Sequence, residues 1–230
     1  MLKKHFIELA MAVLMLVCFY ILSWEAAETA GRFIDVSGNI KADQVILVDA
    51  GHGGVDSGMV GIGGLKEKGI NLDIAMKLKT ILEKKGLAVV MTREEDKGLY
   101  ENGTKNMKAQ DLQNRIEQIR KYEPVLSVSI HQNSYPEAEI SGPQVFYYGS
   151  SEMSKKLAEA IQAQLIVDLQ PPKEREIKTG NDLYILKNSQ CPGVIVECGF
   201  LSNPTECENL QNPQYQQAVA AAIARAICKL

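Results

Sequence analysis

The sequence has no excess of basic residues and no run rich in lysine or arginine. Lysine and arginine account for 25 of its 230 residues and aspartate and glutamate for 28, which gives a formal net charge of −3. Proteins that bind nucleic acid usually carry a basic patch or stripe. We therefore expect no nucleic-acid partner.

The two glycine-rich loops that bind nucleotide phosphates are also missing. The segment from Gly51 to Gly64 is rich in glycine, but the pattern G-x-G-x-x-G fails in it, because Asp56 or Lys66 stands where the last glycine is required. The pattern G-x-x-x-x-G-K-[ST] occurs nowhere in the chain. These absences argue against a nucleotide-binding function.

The sequence has few cysteines and no closely spaced pair of them. None of the five cysteines forms a C-x-x-C pair, which argues against a zinc ribbon and against a dithiol redox site. Whether one disulfide forms in the last quarter of the chain stays open. The cysteines there are Cys191, Cys198, Cys207 and Cys228.

The N-terminus has the composition of a targeting segment. Lys3 and Lys4 precede an apolar run from residue 6 to residue 22 that only Glu8 interrupts. A positive start followed by an apolar run is typical of a signal peptide or a membrane anchor; a buried soluble helix is the alternative. We expect residues 1–30 to be such a leader, with the membrane as a partner through it and the rest of the chain exported.

Strand and helix patterns alternate along the remaining sequence. Continuous apolar runs predict strands buried on both faces, and apolar residues spaced three and four apart predict amphipathic helices between them. Residues 40–230 are therefore predicted to form a single α/β domain with a mostly parallel, twisted sheet of about six strands flanked by helices. The polar segment 170–182 is predicted to be a loop. The predicted strands are residues 45–50, 87–92, 125–131, 144–149, 183–186 and 193–200.

Both histidines of this domain stand at predicted strand ends. His52 follows the first strand and His131 ends the third, while Glu197 lies near the end of the last. Ligands bind beyond the carboxyl ends of the strands in such folds, and two histidines with one carboxylate form a recurring zinc site. Glu67, at the start of a predicted helix, is placed to be the third ligand. Its spacing is explained equally well by the preference for glutamate in a first helical turn.

Five segments together resemble a known family. They are "DAGHGGVDSG", "LKEKGINLDIA", "VVMTREED", "SVSIHQNS" and "VIVECGFLSNPTE". In combination they resemble the zinc-dependent N-acetylmuramoyl-L-alanine amidases of the amidase-3 family, from about residue 45 to the C-terminus. The resemblance implies one Zn²⁺ per chain bound by His52, Glu67 and His131, with Glu197 as the catalytic acid–base group.

The same resemblance implies a substrate and names further residues. The substrate would be peptidoglycan, cut at the amide between N-acetylmuramic acid and L-alanine of the stem peptide. Asn133 and Arg115 match residues that line the site, although packing or an ion pair explains Arg115 equally well. Asp49 or Asp56 could orient a ligand imidazole, or bond within a turn. A non-catalytic wall-binding domain and a zinc peptidase acting within the stem peptide are the alternatives.

The connection after the H-x-N motif is short. Only "SYPEAEISGP" separates it from the next strand, too little for the helical insertion that blocks the site in some relatives. A compact amidase with a leader resembles the germination-specific, CwlD-type amidases of the spore cortex. That resemblance implies action in the cortex space, as a step toward muramic δ-lactam. We expect an accessory protein to provide targeting or activation.

Overall fold

The computed structural model of the protein describes residues 11, 14–20, 44–101 and 103–230. The chain divides into two compact units, Met1–Gly38 and Asn39–Leu230. Residues 11 and 14–20 are helical. The rest of the predicted leader, and the start of the predicted domain at residues 40–43, lie outside the described residues.

Among the described residues, no helix is both long enough and apolar enough to cross a membrane.

The second unit contains a six-stranded sheet in the order β2-β1-β3-β6-β4-β5. Its strands are β1 (Val45–Ala50), β2 (Ala88–Met91), β3 (Leu126–Asn133), β4 (Gln144–Tyr147), β5 (Lys178–Thr179) and β6 (Gly193–Phe200). All neighbouring pairs are parallel except β4 and β6, which run antiparallel. The predicted fold class, an α/β domain with a mostly parallel sheet of about six strands, is confirmed.

Helices cover both faces of this sheet. They are α1 (Glu67–Lys84), α2 (Met107–Tyr122), α3 (Glu152–Leu169), α4 (Tyr184–Asn188), α5 (Pro204–Gln211) and α6 (Pro213–Ile227). Leu47 of β1 packs with Ile116 and Ile119 of α2. Its neighbours Ile46 and Val48 are fully buried too and point to the other face, because side chains alternate along a strand. The α1 and α3 helices pack against α6. Burial on both faces explains why β1 reads as a continuous apolar run.

One predicted strand is wrong. Residues 183–186 belong to the short helix α4 and its N-cap rather than to a strand. Ile185 and Leu186 are buried, while Tyr184 is exposed. A four-residue apolar run cannot distinguish a buried strand from a buried helical turn, because the period is too short to read.

The remaining strand lies instead in the segment predicted as a polar loop. Lys178 and Thr179 of β5 pair with Phe146 and Tyr147 of β4 at the edge of the sheet. An edge strand of two residues needs only backbone hydrogen bonds, so it leaves no apolar pattern in the sequence. The helix α5 was not predicted either, although Asn203 caps it and Pro204 opens it.

All five cysteines lie within the described residues, and the structure contains no disulfide between them.

Candidate metal centre

The sheet topology places three predicted site residues at the carboxyl ends of neighbouring strands. β1 and β3 are parallel neighbours, and His52 lies two residues beyond the end of β1. β3 and β6 are also parallel neighbours, with His131 directly opposite Glu197 in the register. The carboxyl ends of the three strands therefore present His52, His131 and Glu197 together.

His52 is held by a carboxylate on the far side of its ring. Its Nδ1 lies 2.8 Å from Asp56 Oδ2, and its Nε2 lies 3.2 Å from Glu67 Oε2. A carboxylate bound to one ring nitrogen leaves the other free to bind a metal. Burial opposes protonation of the ring, but the hydrogen bonds to Asp56 and Glu67 raise the pKa of His52 to about 9. Of the two aspartates suggested by the sequence, Asp56 makes this contact.

Glu67 is the first residue of α1 and is 1 % exposed. Its Oε1 lies 2.9 Å from His131 Nδ1 and accepts from the backbone N–H of Gln132 and from Asn71 Nδ2. Its Oε2 accepts from the backbone N–H of Met59 at 2.7 Å. Burial opposes ionisation, yet the hydrogen bonds to the two histidines hold the pKa of the Glu67 carboxyl well below its usual range.

Three potential ligand atoms, from His52, Glu67 and His131, lie within 4.8 Å of one another. The two imidazole rings meet edge to face, with centroids 4.9 Å apart. Donors bound to one tetrahedral zinc lie about 3.4 Å from each other, so this spacing is compatible with a shared ion. Two imidazole nitrogens and a carboxylate oxygen also suit zinc chemically. These residues could hold a zinc ion.

Glycine makes the close approach of these side chains feasible. A Cβ atom at Gly58 would lie 2.4 Å from Glu67 Oε2, and one at Gly51 would lie 2.2 Å from His131 Nε2. Both distances are far shorter than a van der Waals contact. The glycine-rich segment after β1 therefore leaves room for the side chains of the cluster.

Glu197 differs from Glu67 in that one of its oxygens accepts no hydrogen bond from the described residues. Within the described part of the chain, its Oε2 is buried and makes no hydrogen bond. Burial raises the pKa of Glu197 to about 7, although the charge of His131 opposes the rise. A carboxyl group with a free oxygen and a pKa near neutrality can accept or donate a proton.

Arg115 lies behind the cluster and is 2 % exposed. Its guanidinium pairs with Asp49 and Asp111, and its Nη2 donates to the backbone carbonyl of His52 at 2.8 Å. These contacts favour the ion-pair explanation of Arg115 over contact with substrate. Asn133 ends β3 and is partly exposed; its Oδ1 accepts from the backbone N–H of Ser134.

Two residues that contact the cluster region were not predicted from the sequence. Asn71 stands one helical turn after Glu67 and donates to both Glu67 and the Gly51 carbonyl. Arg93 follows β2 and donates to the Gly51 carbonyl as well. The only signals were a polar residue four positions after Glu67 and a charged residue just past a strand.

Comparison with known proteins defines the class. The model of the amidase-3 family, described as N-acetylmuramoyl-L-alanine amidase, matches residues 46–229. The chain therefore belongs to the amidase-3 family of N-acetylmuramoyl-L-alanine amidases, and it is an enzyme of the hydrolase class.

Within this family, the chain is similar to several characterised amidases. The chain is 40% identical to the germination-specific N-acetylmuramoyl-L-alanine amidase of Bacillus subtilis over 189 residues, which cover 81% of this chain and 79% of that protein. It is similar in structure to the CwlD amidase of Clostridioides difficile, solved in complex with the GerS lipoprotein. That match has a TM-score of 0.78 and 38% identity, and it covers 80% of this chain and 96% of the other. The amidase AmiC2 of Nostoc punctiforme matches with a TM-score of 0.71 and 31% identity, over 80% of this chain and 94% of that one.

Proposed function

We propose that the protein is a zinc-dependent amidase that cuts peptidoglycan between N-acetylmuramic acid and L-alanine of the stem peptide. The proposal rests on two observations. The buried carboxylate of Glu67 lies between the imidazoles of His52 and His131. Glu197 lies opposite His131 on the neighbouring strand β6, and its Oε2 accepts no hydrogen bond from the described residues. Membership of the amidase-3 family supports the choice of bond.

His52 Nε2, His131 Nδ1 and a Glu67 oxygen would hold the zinc ion. When bound, zinc activates a water molecule as a nucleophile and polarises the scissile carbonyl. Glu67 is preorganised for this role, since backbone N–H groups of Met59 and Gln132 fix both of its oxygens. Asp56 fixes the ring orientation of His52 in the same way.

Glu197 is the proposed proton carrier. Its free Oε2 would accept a proton from the attacking water as the new C–O bond forms at the lactyl carbonyl. The same oxygen would then pass the proton to the alanine nitrogen as the C–N bond breaks, leaving a free carboxyl group on the sugar and a free amine on the peptide. Glu67 is not proposed for this proton transfer, because both of its oxygens accept hydrogen bonds from backbone N–H groups and one of them would bind the zinc ion.

The biological setting proposed is the spore cortex, where peptide removal would precede formation of muramic δ-lactam. Similarity to a germination-specific amidase supports this setting. Similarity to an amidase solved in complex with a lipoprotein supports an accessory protein as a partner.

Residues 40–230 would be the catalytic domain, and residues 1–30 a signal peptide or membrane anchor that takes it out of the cytoplasm. The expected result of cell fractionation is that the domain is recovered outside the cytoplasm. Recovery of the full-length chain as a soluble cytoplasmic protein would contradict this.

A zinc peptidase and a wall-binding domain are the two alternative functions. A zinc peptidase would share the metal site and the proton carrier but cut between amino acids of the stem peptide. A wall-binding domain would have no chemical step for Glu197 to serve.

Mutations should separate the metal ligands from the proton carrier. His52→Ala, Glu67→Ala and His131→Ala each remove one of three protein ligands, so zinc content and peptidoglycan hydrolysis should both fall. Glu197→Gln keeps the ligand set, so the folded protein should still bind one zinc ion. Its activity should nevertheless fall by about 10²–10⁴-fold, the usual contribution of a positioned acid–base group.

Glu208→Gln is the matched control for the proton carrier, because Glu208 is exposed. Zinc content is measured by metal analysis of the purified variants and activity by release of stem peptides. Wild-type activity in Glu197→Gln would contradict the assigned role of Glu197, and full zinc content in all three ligand variants would contradict the metal site.

A further inference from the structure

Arg93 is a buried cation whose partners are backbone carbonyls. It lies two residues after the end of β2 and is 2 % exposed. Its Nε donates to the Ala50 carbonyl at 2.9 Å, and its Nη1 donates to the Glu95 carbonyl at 3.1 Å. Its Nη2 donates to two further carbonyls, those of Gly51 at 2.9 Å and Lys68 at 2.8 Å.

The two carbonyls that share Nη2 flank two of the proposed metal ligands. Gly51 directly precedes His52, and Lys68 directly follows Glu67. His52 belongs to the loop after β1, whereas Glu67 begins α1. A single nitrogen of Arg93 thus ties together the two backbone segments that carry these ligands.

His52 needs such support because its backbone is unfavourable. It has a φ of +60°, in the left-handed region that few residues other than glycine adopt. A residue other than glycine persists there only when the surrounding structure holds it in place. The carbonyls of Ala50 and Gly51, just before His52, both accept hydrogen bonds from Arg93.

Arg115 also contacts this loop, but it forms a buried ion pair as well. It binds the His52 carbonyl while pairing with the buried carboxylate of Asp49. Removing Arg115 would leave that carboxylate unpaired and destabilise the whole domain. Arg93 has no carboxylate partner within hydrogen-bond distance among the described residues, so its substitution tests the loop more cleanly.

We propose that Arg93 is a positioning residue for the metal site, and that its guanidinium sets the spacing between His52 and Glu67. The inference rests on the proposed zinc-binding function of those two residues. A planar guanidinium directs several N–H groups at fixed angles, and a lysine ammonium cannot reproduce that fork. Arg93→Lys therefore keeps the charge and removes the geometry.

The test is the zinc affinity of the full chain, measured by competition with a chromophoric chelator. Arg93→Lys should bind zinc about 10–100-fold more weakly than the wild type, the usual effect of losing a contact that orients ligands. Arg93→Gln, which loses the fork and the charge, should bind at least as weakly as Arg93→Lys. Arg225→Lys is the control, because Arg225 is exposed and pairs with Asp168; its affinity should match the wild type.

The results for the wild type and for the Arg93 variants test two different claims. Absence of zinc binding in the wild type would overturn the proposed function itself. Wild-type affinity in folded Arg93→Lys and Arg93→Gln, even with a lowered melting temperature, would show that Arg93 only stabilises the fold and would overturn the inference alone. The inference would also be rejected if both variants failed to fold where Arg225→Lys folds.

Discussion

At the scale of single residues, Asp56 contacts His52, one of the proposed metal ligands. Its carboxylate accepts from His52 Nδ1 at 2.8 Å, and the hydrogen bond from His52 lowers the pKa of Asp56 to about 2. Replacing it should release the imidazole ring from a single orientation. We predict that Asp56→Ala binds zinc about 10–100-fold more weakly, as measured by chelator competition.

The control for Asp56 is a carboxylate of the same type away from the site. Asp73 is exposed on α1, so Asp73→Ala should leave zinc affinity unchanged. Equal affinity in the wild type and in Asp56→Ala would show that the contact does not orient His52.

The sequence predicted which candidate site residues would lie together, but not which residues would contact them. His52 follows an apolar strand, and His131 and Glu197 lie toward the carboxyl ends of two others, so their proximity could be inferred from a parallel sheet. Glu67 could not be assigned by spacing, because a first-turn glutamate is common, and the family resemblance singled it out. Arg93 and Asn71 escaped prediction because they act on backbone carbonyls and on Glu67, and neither contact leaves a sequence pattern.

At the scale of elements, α1 both carries Glu67 and packs into the core. Leu78 lies on its buried face and is 0 % exposed. Leu78→Ala should lower the free energy of unfolding by about 2–5 kcal/mol, because the lost methyl groups leave a cavity. The measurement is urea denaturation of the metal-free protein, with a metal chelator present throughout.

A substitution on an exposed helical face provides the comparison. Val167 of α3 is 66 % exposed, so Val167→Ala should change the free energy of unfolding by less than about 0.5 kcal/mol. Equal effects of the two substitutions would mean that α1 does not pack as described.

Elements were predicted where their pattern was long. The central strands were predicted because their apolar runs are continuous, and amphipathic helices were predicted between them because apolar residues spaced three and four apart recur over many residues. α4 was mistaken for a strand because five residues carry too little periodicity. β5 was missed because an edge strand held by backbone hydrogen bonds has no required side chains.

At the scale of the whole molecule, the strand order determines which residues meet. β1, β3 and β6 are adjacent in the sheet although they are far apart in the chain. The alternation of elements predicted a mostly parallel sheet but not this order, which depends on long-range pairing. The short connection between β3 and β4, residues 134–143, leaves no room for a long helical insertion there.

The bond that is cut is the central claim, and mass spectrometry of the soluble products released from purified peptidoglycan tests it most directly. The zinc-loaded protein should release intact stem peptides with a free N-terminal L-alanine and leave muramic acid with a free lactyl carboxyl group. Muramic acid that still carried L-alanine, next to truncated peptides, would identify a peptidase instead. Binding to peptidoglycan without release of any peptide would contradict the enzymatic account altogether.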